Sequence, residues 1–207
     1  MQKLMLATTN PGKVREFRTL LRQYDGLAAL TLLTPRDWPE PLLEVEETGT
    51  TFAENARLKA VALAQATGLP TLADDSGLCV DALGGEPGLH SARWAGADAT
   101  DAARNTRLLA RLSRVTAERR TARYVCVVSL AAPNGRSVEA EGRCDGTILE
   151  AARGTSGFGY DPLFFVPEFG RTMAELTDAE KNRVSHRAKA LAALFEQEKV
   201  QEWLASV

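Results

Sequence analysis

The neighbouring carboxylates Asp74 and Asp75 are the residues of this sequence with the most specific chemistry. They follow the apolar run 69–73, which predicts a buried strand, and they precede Ser76-Gly77. Adjacent buried carboxylates repel each other unless they share a cation or a proton. Hard oxygen ligands favour Mg²⁺, which uses one or two protein carboxylates together with substrate phosphate. The pair therefore predicts a magnesium–phosphate site at the carboxyl end of a strand, and a turn capped by an aspartate is the alternative.

An acidic loop can supply a further carboxylate from Glu44, Glu46 or Glu47. A metal that bridges phosphates, beside a carboxylate that orients or deprotonates water, suits hydrolysis of a phosphoanhydride. Taken alone, however, this loop is also typical of a solvated acidic surface.

The segment between the first predicted strand and the first predicted helix is a candidate phosphate site. A helix N-terminus has unpaired N–H groups and a partial positive charge. Gly12 allows the backbone close to a ligand, and Lys13 adds a full charge. The segment is not a Walker A loop, because Ala7 and Val14 stand where that motif needs Gly and Ser or Thr. A routine strand–helix turn is the alternative. The residues of this segment are Thr8, Thr9, Asn10, Pro11, Gly12 and Lys13.

Asn55 and Lys59 are four residues apart in a predicted helix, so they share a face. Lys59 could reach a phosphate from there. A solvated helix face is the alternative.

The segment 154–162 is too rich in glycine for a core element, yet it contains Phe158 and Tyr160. An aromatic ring between glycines can stack on a nucleobase, which contributes about 1–3 kcal/mol per base. Asp161 could bond a base edge or fix the loop. The alternative is a loop whose aromatic residues plug the core.

Near the C-terminus, Lys181, His186 and Arg187 cannot all face one ligand from a straight helix. A break near Ser185 would remove this restriction. Histidine and arginine donors suit the 6-keto oxygen that hypoxanthine and xanthine carry and adenine lacks. A capped or solvated position is the alternative for His186.

The hydrophobic pattern predicts an α/β fold with a mixed sheet. A capping box formed by Thr177 and Glu180 begins the last helix, which continues to about residue 206 with a break. Pro133-Asn134-Gly135 predicts a hairpin turn. We expect strands at 3–8, 27–33, 69–73, 78–83, 122–132 and 137–149, helices at 14–24, 52–67 and 98–115, and loops at 37–51, 84–96 and 154–162.

The composition is that of an ordinary soluble domain. The 207 residues are enough for one domain or two closely packed lobes, and the net charge of −2 argues against non-specific nucleic-acid binding. Three widely spaced cysteines favour reduced thiols over disulfides or a zinc site. No apolar run approaches the roughly 20 residues of a membrane helix, and no long apolar leader opens the sequence, so we expect a cytoplasmic protein.

Five segments together resemble the inosine triphosphate pyrophosphatase family, also called the XTP/dITP diphosphatases. They occur in the family's order and span residues 6 to 191. Ser156 and Ala152 depart from residues common in the family, and neither lies in the predicted chemistry. The segments are ATTNPGKVREF, EETGTTFAENARLKA, LADDSGLCVDALGGEPGLHSARWAG, RGTSGFGYDPLFF and MAELTDAEKNRVSHRAKAL.

The resemblance implies an enzyme that removes ITP, dITP and XTP from the nucleotide pool by releasing pyrophosphate and leaving the monophosphate. It implies one two-lobed domain over residues 1–207, with an elongated mixed sheet flanked by helices and a central cleft. It also implies Mg²⁺ as cofactor and a homodimer, with neither nucleic acid nor membrane as a partner.

The resemblance further implies roles for individual residues. Asp75 would be the general base and a metal ligand, with Asp74 beside it, and Glu47 or Glu46 would be the other ligand. Lys13 would act in catalysis and hold phosphate with the rest of residues 8–13. The remaining substrate contacts would come from Lys59, Ser76, Phe158, Gly159, Tyr160, Asp161, Lys181, His186 and Arg187, with Phe158 stacking on the base.

Two other functions fit parts of this pattern. The first is a pyrophosphatase for canonical nucleotides or modified pyrimidine nucleotides on the same scaffold. The second is a non-catalytic module that binds nucleotides or RNA, which the slightly acidic charge balance disfavours.

Overall fold

The computed structural model describes residues 3–24, 27, 30–42 and 45–205, with side chains to residue 201. These residues contain seven strands and six α-helices. The strands are β1 Lys3–Leu6, β2 Thr31–Leu33, β3 Thr71–Val80, β4 Thr121–Ala131, β5 Ser137–Ile148, β6 Phe164–Val166 and β7 Arg171–Thr172. The helices are α1 Pro11–Leu21, α2 Phe52–Thr67, α3 Asp101–Arg111, α4 Asp178–Val184, α5 His186–Phe195 and α6 Glu198–Ala205.

The strands form one mixed sheet in the order β2-β1-β3-β4-β5-β6-β7. Strand β1 is parallel to both β2 and β3, whereas β6 is antiparallel to β5 and β7. The mixed α/β class expected from the sequence is confirmed.

The chain divides into two compact units, each with its own core. The first unit comprises residues 1–75, 126–142 and 187–207, and the second comprises residues 76–125 and 143–186. In the first unit, side chains of α1 and α5 pack on β1 and β4, and alanines of α2 form a smaller cluster. In the second unit, α3 packs with residues of β3, β4, β5 and β6.

Local capping explains why the helices begin and end where they do. Thr51 and Glu54 form a capping box at the start of α2, and Gly68 ends it with a φ of 67°. The predicted capping box of Thr177 and Glu180 opens α4. Ser185, with φ −63° and ψ 147°, is extended and ends α4, so the predicted break lies at this residue.

The two strands predicted at 69–73 and 78–83 are one strand, because β3 continues through residues 74–77, and the alternative of a turn there is wrong. Asp74 and Asp75 therefore lie within a strand and not at its carboxyl end. Their side chains bind cationic and amide groups instead of capping a turn. Gly77 serves close packing, since a Cβ there would lie 2.2 Å from the carbonyl oxygen of Gly88.

The bounds of other elements also differ from the prediction. Only Thr31–Leu33 of the predicted strand 27–33 is a strand, and residues 28 and 29 lie outside the described residues. Residues 81–83 form a 3₁₀ turn, and α3 is shorter than predicted, with Thr100 as its cap. The predicted hairpin is present, closed by the Ala132 N–H donating to the Arg136 carbonyl at 2.9 Å.

Candidate active site

Asp74 is the centre of a buried ionic network in the first unit. Lys13 Nζ lies 2.8 Å from Asp74 Oδ2, and Arg187 Nε and Nη2 donate to the same oxygen at 3.4 Å. Arg187 also donates from Nη1 to Glu16. Arg187 is only 2% exposed, so α5 and α1 are joined to β3 through buried charges.

Asp74 stays ionised because cations surround it. Burial raises the pKa of Asp74, but the charges of Lys13, Arg187 and Lys59 outweigh this effect and hold the pKa well below its usual range. A carboxylate with so low a pKa is a poor proton acceptor. Its position suits holding Lys13 in place.

Asp75 has different surroundings, as expected for the next residue of a strand, whose side chain points to the opposite face. Asn55 Nδ2 donates to its Oδ2 at 3.1 Å, and Lys59 Nζ lies 3.8 Å from its Oδ1. Burial raises the pKa of Asp75, Lys59 lowers it and Glu47 raises it again, so that the pKa lies above its usual value. Asp75 is thus the better proton acceptor of the pair.

Lys59 joins two carboxylates of the first unit. Its ammonium group donates to Glu47 Oε1 at 2.7 Å and faces Asp75. Burial lowers the pKa of Lys59, but Asp75, Asp74 and Glu47 raise it more, so Lys59 remains charged.

The oxygens of Glu47 and Asp75 fit a divalent cation, because both already surround one positive charge, that of Lys59. Glu46 is exposed, and Glu44 lies outside the described residues. Among the residues with described positions, no group of three or more His, Cys, Asp or Glu side chains is arranged as a metal site. Two carboxylates are enough for Mg²⁺, which fills its other positions with water and substrate phosphate.

The first turn is capped by its own side chain. Asn10 Oδ1 accepts hydrogen bonds from the N–H groups of Gly12 at 2.9 Å and Lys13 at 3.2 Å. Thr8 Oγ1 accepts from the Asn10 N–H, and Pro11 is the first helical residue. A phosphate would therefore meet the Asn10 Nδ2 group, the Lys13 ammonium group and the exposed Thr9 before the backbone N–H groups.

In the second unit, Asp161 organises the glycine-rich segment. Its Oδ2 accepts from Lys181 Nζ at 2.7 Å and from the Phe158 N–H at 3.0 Å, and its Oδ1 accepts from the Tyr124 hydroxyl at 3.2 Å. Lys181 Nζ also lies 5.3 Å from the centre of the Phe158 ring. Gly157 has a φ of 79°, and a Cβ there would lie 2.1 Å from the Asp161 carboxylate.

Helix α3 holds the same segment through Gly159. The Gly159 N–H donates to Asp101 at 2.7 Å, and its carbonyl accepts from Asn105 at 3.0 Å. Tyr160 is buried, and its hydroxyl donates to the Ser91 carbonyl at 2.9 Å. The Tyr160 side chain belongs to the apolar cluster of the second unit, and its predicted contact with substrate stays a prediction.

The remaining predicted residues also have defined surroundings. His186 is buried and stacks on Tyr124, with 4.7 Å between ring centres and 12° between planes. Ser76 is half-buried in β3. The guanidinium group of Arg187 binds Asp74 and Glu16, so its predicted contact with a base stays a prediction.

The structure adds residues that the sequence did not single out. Lys13 and Glu16 share a face of α1, a spacing that could have drawn attention to Glu16. Tyr124, Asp101 and Asn105 gave no such signal, since their partners are distant in sequence.

Fold and site together define an α/β protein with buried carboxylate–cation pairs suited to phosphate chemistry. The chain belongs to the Ham1 family, whose family model matches residues 4–197. This match confirms the family expected from the sequence.

Similar proteins cover nearly the whole chain. It is 52% identical over 197 residues to the dITP/XTP pyrophosphatase of Geobacillus kaustophilus, covering 95% of this chain and 94% of that protein. It is 56% identical over 196 residues to a dITP/XTP pyrophosphatase of Thermus thermophilus, covering 94% of this chain and 90% of that protein. A solved HAM1 protein from Coxiella burnetii is 39% identical with a TM-score of 0.82, covering 100% of both chains.

Proposed function

We propose that this enzyme hydrolyses non-canonical purine nucleoside triphosphates, namely ITP, dITP and XTP, to the monophosphate and pyrophosphate. This activity is supported by relatives named dITP/XTP pyrophosphatases, to which the chain is 52% and 56% identical over nearly its full length. The observation that carries the chemistry is the paired arrangement of Lys13 with Asp74 and of Lys59 with Asp75 and Glu47.

Mg²⁺ is the cofactor in this proposal, held by Asp75 and Glu47. When bound, it neutralises phosphate charge and polarises the phosphoanhydride. The exposed position of Glu46 favours Glu47 as the ligand.

The chain's own residues bind the triphosphate and activate water. Lys13, held by Asp74, and the polar side chains of residues 8–10 bind phosphate oxygens. Lys59 moves from Glu47 to the phosphates when substrate arrives. Asp75, fixed by Asn55, orients or deprotonates the water that attacks the α-phosphorus, so that pyrophosphate leaves in one step.

The second unit binds the nucleoside in this proposal. Phe158 offers a ring face for stacking, and Lys181 and His186 supply donors for the 6-keto oxygen. Arg187 is proposed as a further donor after release from Asp74, and Ser76 as a further substrate contact. Gly159 and Asp161 shape the segment on which Phe158 lies.

Several broader expectations belong to the same proposal. We propose a homodimer in the cytoplasm that acts on small nucleotides and not on nucleic acid. The single two-lobed domain with a central cleft stays a prediction. None of the helices described here is long and apolar enough to cross a membrane.

The decisive experiment measures pyrophosphate release from ITP, XTP, dITP, ATP, GTP and dUTP with and without Mg²⁺. We expect ITP, XTP and dITP to be hydrolysed when Mg²⁺ is present and not when it is absent. Asp75→Asn should hydrolyse none of them. If ATP is cleaved as fast as ITP, the proposed base recognition is wrong. Binding without turnover would favour the non-catalytic module instead.

The metal ligands can be tested separately with Glu47→Gln and its matched control Glu46→Gln. We expect Glu47→Gln to need at least about tenfold more Mg²⁺ for half-maximal activity, because loss of one ligand weakens binding by about that factor or more. Equal effects of the two variants would contradict the assignment.

A further inference from the structure

Tyr124 contacts His186, a proposed donor to the base, and Asp161, which holds the segment of Phe158. It lies in β4, is 7% exposed and has no part in the chemistry proposed above. Its hydroxyl donates to Asp161 Oδ1 at 3.2 Å, and its ring is nearly parallel to that of His186 at 4.7 Å. One side chain therefore contacts both a glycine-rich loop and the first residue of α5.

The Tyr124 ring is itself held firmly. It packs on Phe164 of β6, with ring centres 4.6 Å apart, within the apolar core of the second unit. A ring fixed by a strand and by a core neighbour has little freedom to move. It is thus a suitable support for groups on less regular segments.

The hydroxyl contact determines how the Asp161 carboxylate is oriented. With Oδ1 bound to Tyr124, Oδ2 is directed at Lys181 and at the Phe158 N–H. If Oδ1 lost this bond, the carboxylate could rotate, and the positions of Lys181 and Phe158 would become less defined. Precise placement of polar groups is what allows a site to distinguish one base from another.

The ring contact acts in the same way on His186. Parallel stacking fixes the plane of the imidazole, and therefore the directions of its two nitrogens. His186 follows the extended residue Ser185, so regular helix does not precede it. The ring of Tyr124 thus supports the imidazole at the junction of α4 and α5.

We propose that Tyr124 is a positioning residue for recognition of the purine base: its hydroxyl orients Asp161, and its ring orients His186. This inference rests on the proposed function. It adds a residue that contacts no substrate and acts through His186, a proposed donor to the base, and through Asp161, which holds Lys181 and Phe158.

Two substitutions separate the two contacts. Tyr124→Phe removes the hydroxyl and keeps the ring, whereas Tyr124→Leu removes both. Tyr24→Phe is the matched control, because Tyr24 packs on Phe195 in the first unit. For each protein, kcat and KM would be measured with ITP and with ATP, together with the thermal unfolding midpoint.

We expect Tyr124→Phe to raise KM for ITP about fivefold to tenfold, the effect of one buried hydrogen bond, with kcat within about twofold. We expect Tyr124→Leu also to reduce the preference for ITP over ATP. Tyr24→Phe should match the parent in KM for ITP and in the preference for ITP over ATP. If folded Tyr124→Phe keeps the parent's KM for ITP, the positioning role is wrong, whatever Tyr124→Leu does.

A magnetic resonance measurement tests the stacking without turnover. The chain has two histidines, His90 and His186, so their ring proton signals are easily assigned. We expect Tyr124→Leu to shift the His186 signal, which loses the ring current of Tyr124, and to leave His90 unchanged. An unshifted His186 signal would overturn the ring contact. Failure of the parent to hydrolyse ITP would contradict the proposed function, a result distinct from either outcome.

Discussion

The Asn55 side chain connects Asp75 to the segment that carries Glu47. Its Nδ2 donates to Asp75 Oδ2 at 3.1 Å, and its Oδ1 accepts from the Gly49 N–H at 2.8 Å. Asn55 is almost completely buried, so both bonds are shielded from water. One amide therefore fixes the proposed base and the loop of the proposed metal ligand together.

Replacing Asn55 by alanine should lower kcat for ITP by on the order of 100-fold, because a displacement of about 1 Å in a catalytic group has effects of that size. Arg57→Ala, at an exposed position of the same helix, is the control and should retain parental kcat. A kcat of Asn55→Ala within about twofold of the parent would show that Asp75 needs no such support.

Asp74→Asn and Asp75→Asn should have different effects on stability. Asp74→Asn removes the anion shared by Lys13 and Arg187 and leaves Arg187 with Glu16 alone, which should lower the free energy of unfolding by about 3 kcal/mol. Asp75 has a raised pKa, which means that its ionised form is disfavoured by folding near neutral pH. Asp75→Asn should therefore be at least as stable as the parent and yet inactive.

Urea unfolding measures the stability of each variant, and pyrophosphate release measures its activity. If Asp74→Asn and Asp75→Asn were both less stable than the parent and both inactive, the two carboxylates would act as one unit.

Gly77→Ala should destabilise the protein by about 3 kcal/mol, because the added Cβ would meet the backbone oxygen of Gly88, which cannot rotate away. Gly68→Ala is the comparison. Gly68 has a φ of 67° and open space where a Cβ would stand, so only the left-handed backbone cost of about 1 kcal/mol applies. Thermal and urea unfolding would show which substitution destabilises the protein more. A smaller effect of Gly77→Ala than of Gly68→Ala would contradict the close approach of Gly77 to the Gly88 carbonyl oxygen.

Glu180 should make stability depend on pH. Hydrogen bonds from Arg171 and Thr177 lower the pKa of Glu180 from 4.5 to about 2. A carboxyl whose pKa is lower in the folded state stabilises the protein fully above its unfolded pKa, and this contribution is lost as the pH falls through the folded pKa. The stability difference between the parent and Glu180→Gln should thus shrink between pH 4.5 and about 2.

Urea unfolding at several acidic pH values measures this difference. Asp178→Asn in the same first turn, outside the capping box, is the control. A difference independent of pH would show that the ionised carboxylate of Glu180 is not what stabilises α4.

Local signals made part of the fold predictable. Helix α2 has the predicted bounds because Thr51, Glu54 and Gly68 set its ends through neighbouring residues alone. The break at Ser185 followed from the incompatible directions of Lys181 and Arg187 on one straight helix.

Long-range contacts explain what could not be predicted. The sequence Asp-Asp-Ser-Gly is typical of a turn, but pairing of Asp74 with Lys13 and packing of Gly77 against Gly88 keep it in a strand. Arg187 and Glu16 are 171 residues apart, and no local pattern relates them. Asp74, Asp75 and the lysines Lys13 and Lys59 could be singled out by residue type and spacing. The contacts that support these side chains could not.

Neither compact unit is a single stretch of sequence, and this affects how the chain can be synthesised. The apolar cluster that contains Leu4 and Phe17 receives Leu191 and Leu194 from α5, more than 160 residues later in the chain. Until α5 has been synthesised, that cluster lacks the side chains of this helix and exposes apolar surface. A premature stop codon before α5 would therefore yield an aggregating fragment and not a smaller enzyme.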